Sequence, residues 1–409
     1  MKRRPLIAAA AMLPAIPLAV SLYASPARAA DKTLTIGFTV SETGSLNVDS
    51  LAQLHGFELW RDDVNAAGGI KVGDDHYMIK FVSYDDQSQG GRVQQLYTRL
   101  IVQDHAPFLF SPYSSGLAAT AAIISEQYGK IMLTEGAAES KTYELGNKYL
   151  FQMYTPADHY LTSALDVVKA KEPTGTIALV YSDDPFSKAV ATAVRAQAAE
   201  RGLKIVLDES YPPNQTDFSA IINKIVSSHA DVLLGGGHYP DGATMARQIY
   251  DQKAPLKWIT LLVAPDSPQF ATLGPAAQGI STPSQWAPQV TYKPDFGPTP
   301  AVFAKAFTER FKIAPGYHAA GGYGGGLILQ HAIEVAGSID PAKVAAALDK
   351  TDATTLFGAT KFSTDPKSHG LQIAHDMVLS QWQMKDGKLV KEVVWPLGAA
   401  TAPAAYPLR

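Results

Sequence analysis

The stretch Ala106–Thr134 reads APFLFSPYSSGLAATAAIISEQYGKIMLT. A short apolar run ends at Phe110, and a serine-rich corner follows. A small-residue pattern with helical spacing then runs to Gly129, and a second apolar run closes the unit. This is strand, corner, helix, strand, the repeat of a parallel sheet whose faces are covered by helices. Ser114 and Ser115 at such a corner suit three roles: a nucleophile, a cradle for an anion, or a helix cap.

The same rhythm extends in both directions. Upstream, LTIGFTV (34–40) and YMIKFVSYD (77–85) read as strands. Helical patterns follow each of them, the first stopping at Gly68-Gly69. Downstream the unit restarts. TGTIALVYSD (174–183) leads into a helix with Pro185 near its start and Gly202 past its end. LKIVLDESY, ADVLLGGG and LKWITLLV supply further strands. The pattern predicts an α/β protein with two doubly wound lobes. Residues 264–300, rich in Pro, Gly and Ser, read as irregular. The terminal KDG (385–387) between alternating runs reads as a hairpin turn.

The first 29 residues have the form of a secretory leader: a basic MKRR, an apolar run, and the small-x-small motif Ala27–Ala29. Cleavage there would remove Lys2, Arg3, Arg4 and Arg28 and no acids, moving the formal charge from −3 to −7. An acidic mature chain has no electrostatic reason to seek nucleic acid or an anionic membrane. With 0 cysteines in the chain, an exported protein carries no disulfide and no lipidated thiol. The reading is a free periplasmic protein.

Chemical motifs narrow the function. No glycine lies two residues before Ser114 or Ser115, so the GxSxG elbow is absent. A secreted serine hydrolase stands as the rival from another class. The histidines show no metal spacing, so neither a metal nor a cofactor is expected. GGYGGG (321–326) lies inside a helical pattern, not after a strand, and suits close helix packing. Polar and aromatic residues do gather at strand ends: Ser114 and Ser115, then Gly136-Ala137-Ala138-Glu139, then Phe186, then His238 and Tyr239. Ligands of parallel α/β sheets lie beyond those ends, so two facing lobes would place these residues in one cleft.

Several segments, in order, resemble the periplasmic solute-binding proteins of ABC transporters, of the leucine/isoleucine/valine-binding type. They are LTIGFTVSETGS, GFELWRDDVNAAGGI, FVSYDDQSQGGRVQQLYTRLIVQD, SPYSSG, ADVLLGGGHYPDG, PGYHAAGGYGGGLILQHAIEVAG and VLSQWQ. The resemblance implies two Rossmann-like lobes joined by a three-strand hinge, with a ligand cleft between them. It puts lobe 1 at 30–154 plus 284–377, and lobe 2 at 155–283 plus 378–409. It implies a monomer that closes on a small solute and docks on an inner-membrane permease.

The implied pocket carries over by position. Ser115, with Ser114 and Tyr113 beside it, would hold a ligand carboxylate. Ala137, Ala138 and Glu139 would add backbone contacts, and Phe186, His238 and Tyr239 would enclose the side chain. Asn47 and Asp49 would form a wall. Glu139 or Asp266 would meet an ammonium group, although neither follows the amino-acid binders' pattern. The expected solute is an aliphatic or branched-chain amino acid, with an aromatic acid or an amide as the alternative.

Overall fold

The structure, a computed structural model, describes residues 32–408; the leader read at 1–29 lies outside the described residues. The first sheet contains β1 (Lys32–Val40), β2 (Ile70–Val72), β3 (Asp75–Asp85), β4 (Phe108–Phe110), β5 (Ile131–Thr134) and β6 (Leu150–Gln152). Their order is β2-β3-β1-β4-β5-β6, parallel throughout except for β2 against β3. Helices α1 (Asn47–Ala66), α2 (Gly90–Val102) and α3 (Ser115–Gln127) connect these strands.

The second sheet begins after α4 (Thr162–Lys171). It is built from β7 (Thr176–Ser182), α5 (Pro185–Glu200), β8 (Lys204–Tyr211), α6 (Ser219–Ser227), β9 (Val232–Gly236), α7 (Tyr239–Asp251), β10 (Trp258–Leu261) and β11 (Ser281–Ser284). The chain then returns to the first lobe with α8 (Pro300–Phe311), α9 (Tyr317–Ala336) and α10 (Pro341–Leu348), followed by the hairpin β12 (Asp352–Thr355) and β13 (Gly358–Lys361). It ends on the second sheet with β14 (Val378–Lys385) and β15 (Lys388–Trp395). The strand order there is β15-β14-β11-β10-β9-β7-β8.

Local chemistry explains most of these boundaries. Asp184 caps α5 through the Ser187 N–H, Pro185 opens the helix, and Gly202 beyond its end has a positive φ of 65°. The KDG turn has Asp386 and Gly387 both left-handed, as a tight hairpin between β14 and β15 requires. The glycines of α9 serve packing. A Cβ on Gly326 would fall 2.2 Å from the Trp60 ring, and one on Gly56 of α1 would fall 2.1 Å from the Ala319 carbonyl oxygen. Gly56 lets the α1 backbone approach that of α9, and Gly326 leaves room for the Trp60 ring.

One expectation fails locally. The stretch read as irregular contains β11, whose sequence STPS has no apolar alternation. It is a strand because it is fully enclosed, parallel to β10 and antiparallel to β14. Its hydroxyls are satisfied inside the protein: Ser281 bonds Thr260 and the Ile259 carbonyl, and the Ser284 hydroxyl lies within hydrogen-bond distance of both Asp266 Oδ1 and the Trp286 carbonyl.

Three segments cross between the sheets, after β6, after β11 and before β14, and they are tied together where they pass. The Thr155 N–H donates to Gln285 Oε1 (3.0 Å), and Gln285 Nε2 donates to the Thr155 carbonyl (3.1 Å). His375 Nε2 lies 2.9 Å from the Phe357 carbonyl, and its Nδ1 lies 2.9 Å from the Thr155 hydroxyl. A carbonyl only accepts, so Nε2 carries the hydrogen and Nδ1 is an acceptor facing the Thr155 hydroxyl, which also lies 2.9 Å from the His375 carbonyl. Burial lowers the His375 pKa to about 4, which keeps the ring neutral.

Candidate functional site

In a doubly wound sheet the open crevice lies where strand order reverses. In the first sheet β1 sends the chain to β3 on one side, and the chain then returns to β4 on the other. In the second sheet β7 leads to β8 on one side and then to β9 on the other. The corners after β4, β7 and β9 therefore flank the two crevices. They are Tyr113–Ser115, Asp184–Phe186 and His238. These corners face one another around a small space of about 10 Å³, room for about one water molecule. That is below the roughly 300–1,000 Å³ of open ligand pockets, as suits a cleft that has shut.

From the first lobe the lining is Tyr113, Ser114, Ser115, Gly136, Ala138 and Tyr154, with Tyr317 and His318 from the start of α9. From the second it is Tyr160, Phe186, His238 and Val263. The lobes touch directly: the Tyr113 hydroxyl lies 2.8 Å from His238 Nδ1. The opposite ring nitrogen, Nε2, is 3.9 Å from the Asp184 carboxylate. A hydrogen on Nε2 facing that carboxylate leaves Nδ1 to accept from the tyrosine.

The serine corner has an unusual backbone. Ser114 sits at φ 92°, ψ 149°, a region almost reserved for glycine. Its N–H donates to the Gly136 carbonyl, and its hydroxyl accepts from the Leu117 N–H at 3.4 Å, capping α3. Across the cleft Val263 is also strained, at φ 53°, ψ −63°, in a γ-turn closed by the Ala264 N–H on the Leu262 carbonyl. Each such residue costs about 1–3 kcal/mol and persists only where its surroundings enforce it. Each lobe thus contributes one strained residue to the same cavity.

Ser115 Oγ accepts two hydrogen bonds, from the Ala138 and Glu139 N–H groups, each 3.2 Å. With both acceptor positions used, what the hydroxyl has left to offer is its hydrogen. It is therefore a donor at the N-terminus of α3, where helix N–H groups and the positive dipole end also favour an anion.

Of the residues singled out in the sequence, Tyr113, Ser114, Ser115, Ala138, Phe186 and His238 line the cavity together. Ala137 and Glu139 flank Ala138. The Glu139 carboxylate folds back onto the Lys141 N–H. Tyr239 opens α7, half-buried. Asn47 turns its amide to the Ser41 and Glu42 carbonyls at the start of α1.

Asp49 lies behind Tyr113 and is buried, with its Oδ1 3.9 Å from His318 Nδ1. Burial raises its pKa to about 6. His238, the Tyr239 N–H and the Tyr113 hydroxyl temper the shift, yet Oδ2 has no hydrogen-bond partner among the described residues. His318 is driven down to about 3 by burial. Asp266 is placed differently from what an ammonium partner needs. Lys391 reaches its Oδ1 at 2.7 Å, the Ser284 hydroxyl lies within hydrogen-bond distance of the same oxygen, and the Tyr317 N–H donates to Oδ2 at 2.8 Å. The carboxylate is spent on joining β15, β11 and α9.

The sequence reading did not single out Tyr154, Tyr160, Tyr317, His318 or Val263 as site residues. Tyr317-His318 did stand in a quoted motif, PGYHAAGG. Tyr154 and Tyr160 reach the cleft from the segment after β6, where no strand-end pattern marks them.

A family profile described as periplasmic binding protein matches residues 33–388. The chain belongs to that family. An amino acid binding protein of Pseudomonas aeruginosa is 28% identical over 346 residues, which span 81% of this periplasmic binding protein and 86% of the relative. Among solved structures, a branched-chain amino acid transporter substrate binding protein from Streptococcus pneumoniae, in complex with isoleucine, superposes with a TM-score of 0.76. It is 23% identical and covers 89% of this chain and 100% of its own. An ABC transporter solute binding protein from R. palustris, in complex with benzoate, gives 0.73 at 20% identity, covering 91% and 97%. The family and the two-lobed fold read from the sequence are borne out.

Proposed function

We propose that this chain is the receptor of an ABC importer and captures a small carboxylate between its lobes, with Ser115 and the α3 N-terminus holding the carboxylate. One observation carries the reading: Ser115 Oγ accepts two backbone N–H groups and so presents a hydrogen to an acceptor. The rest of the ligand lies among Tyr154, Tyr160, Phe186 and Tyr317. Those walls, with Asp266 already paired to Lys391, favour an aromatic carboxylate that brings no ammonium group.

A second reading, a branched-chain amino acid, draws on Asp49, whose unpaired Oδ2 near Tyr113 would suit an ammonium. The benzoate and isoleucine complexes of the two structural neighbours are in keeping with either. A thermal-shift panel separates them, because a ligand that binds only the folded state raises Tm. Benzoate and 4-hydroxybenzoate raise Tm and leucine does not on the first reading; the reverse supports the second.

The remaining assignments belong to the same proposal. The chain is exported with its leader cleaved near Ala29 and acts in the periplasm as a monomer that docks on a permease. Lobe 1 comprises 30–154 plus 284–377 and lobe 2 comprises 155–283 plus 378–409, divisions supported by the three crossing segments. No catalysis is assigned. Ser115 has backbone N–H groups as its neighbours, and the histidine facing the corner is engaged by Tyr113. Labelling of Ser114 or Ser115 by a fluorophosphonate would overturn that reading.

A further inference from the structure

The polar groups around the cleft are almost all committed. Tyr113 pairs with His238, and Ser114 caps α3. Tyr154 differs. Its side chain is buried and lines the cavity, yet its hydroxyl has no hydrogen-bond partner among the described residues. A buried hydroxyl without a partner is costly and calls for an explanation.

The ring is held in place on several sides. It stacks on Phe357 at 5.7 Å and meets Tyr317 edge-on at 5.5 Å. Beneath it, a Cβ on Gly321 would fall 2.6 Å from Cε1 and 2.9 Å from the hydroxyl, so the glycine keeps that space open. Burial holds the phenol neutral, able both to donate and to accept.

Position completes the argument. Ser115 follows β4 and Tyr154 follows β6, with β5 between them. Neighbouring strands lie about 4.8 Å apart, so β4 and β6, from whose ends the two residues rise, are roughly 10 Å apart. A ligand held by its carboxylate at Ser115 reaches Tyr154 with an atom about one aromatic ring away.

We propose that Tyr154 is a specificity-determining residue that pairs with a polar substituent, a hydroxyl above all, on the ring position opposite the ligand carboxylate, so that the receptor prefers hydroxylated aromatic acids to unsubstituted ones. This rests on the aromatic-carboxylate reading of the same cleft. A site built to hydrogen-bond a substrate hydroxyl discriminates strongly against the analogue that lacks it, because its own polar group is then left unpaired.

The test is calorimetric titration of the full mature chain with benzoate and with 4-hydroxybenzoate, for the wild type and for Tyr154→Phe. The wild type binds 4-hydroxybenzoate at least tenfold more tightly than benzoate, and Y154F brings the ratio of the two dissociation constants close to one. Because the readout is a ratio, a general loss of stability in the variant does not mimic it. Equal wild-type affinities, or a ratio that survives Y154F, overturn the assignment of Tyr154 while leaving the carboxylate receptor standing. Binding of neither acid overturns both.

Discussion

The two places where the lobes meet are built differently. At the hinge the named polar groups are paired: Thr155 with Gln285 through both backbone groups, and His375 through both ring nitrogens. At the cleft, hydrogen bonds from Tyr113 to His238 and from the Tyr317 N–H to Asp266 span the gap, and near them Asp49 Oδ2 and the Tyr154 hydroxyl are buried without partners among the described residues. Satisfied buried networks fix a geometry, and partly satisfied ones are poised to reorganise. The hinge therefore sets how the lobes turn, and the cleft is where a ligand contributes what the protein has left unmade. Lobe closure then depends on differential contacts with the ligand, as any population shift must.

The largest expected effect comes from acid, which acts on the hinge through His375 and on the cleft through His318 and Asp49. His375 and His318 have folded pKa values of about 4 and 3, below the ordinary 6.5, so the folded state binds fewer protons than the unfolded state between pH 6.5 and those values. Their contribution is present at neutral pH and is lost as pH falls through that window. Asp49, raised from 3.8 to about 6, works the other way: its neutral form favours the fold as pH drops through 6. It offsets about one histidine. The net loss from these three groups between pH 7 and pH 4 is on the order of 3 kcal/mol. Urea unfolding at both pH values measures it, and His375→Gln flattens the dependence even where it lowers stability at pH 7.

On the cleft side, Ser115→Ala removes a donor to the ligand and strands the Ala138 and Glu139 N–H groups. Ligand binding weakens by about 1–3 kcal/mol, read by calorimetry. Unchanged affinity would remove Ser115 from the site. Tyr113→Phe deletes a side-chain bond across the cleft at a cost of about 1 kcal/mol. In small-angle scattering the unliganded variant shows a larger radius of gyration than the wild type, while Thr155→Ser, which keeps the hinge hydroxyl, does not. Smallest is Glu139→Gln. Its carboxylate meets the Lys141 N–H away from the cavity, so affinity shifts by under about 0.5 kcal/mol. A larger loss would bring Glu139 into contact with the solute.

Much of this was legible along the chain. Strand, serine corner and helix at β4–α3 follow from apolar runs and spacing, and the KDG turn announces its hairpin. The residues of the cleft that lie at strand ends, Tyr113 to Ser115, Phe186 and His238, were visible because a parallel sheet places its ligands there. What escaped depends on distant partners. STPS is a strand because β10 and β14 enclose it. Asp266 is not free because Lys391, 125 residues further on, occupies it. Tyr154 and Tyr317 reach the cleft through a crossing segment and the start of a packed helix, which no local pattern marks.

The central claim is that the cleft recognises a carboxylate through the Ser115 hydroxyl and the end of α3. It is tested most directly by titrating the wild-type protein with 4-hydroxybenzoate and with its primary amide, which keeps the ring and the hydroxyl and removes the charge. The account predicts that the acid binds at least tenfold more tightly than the amide. An amide that binds as well as the acid, or better, would contradict it.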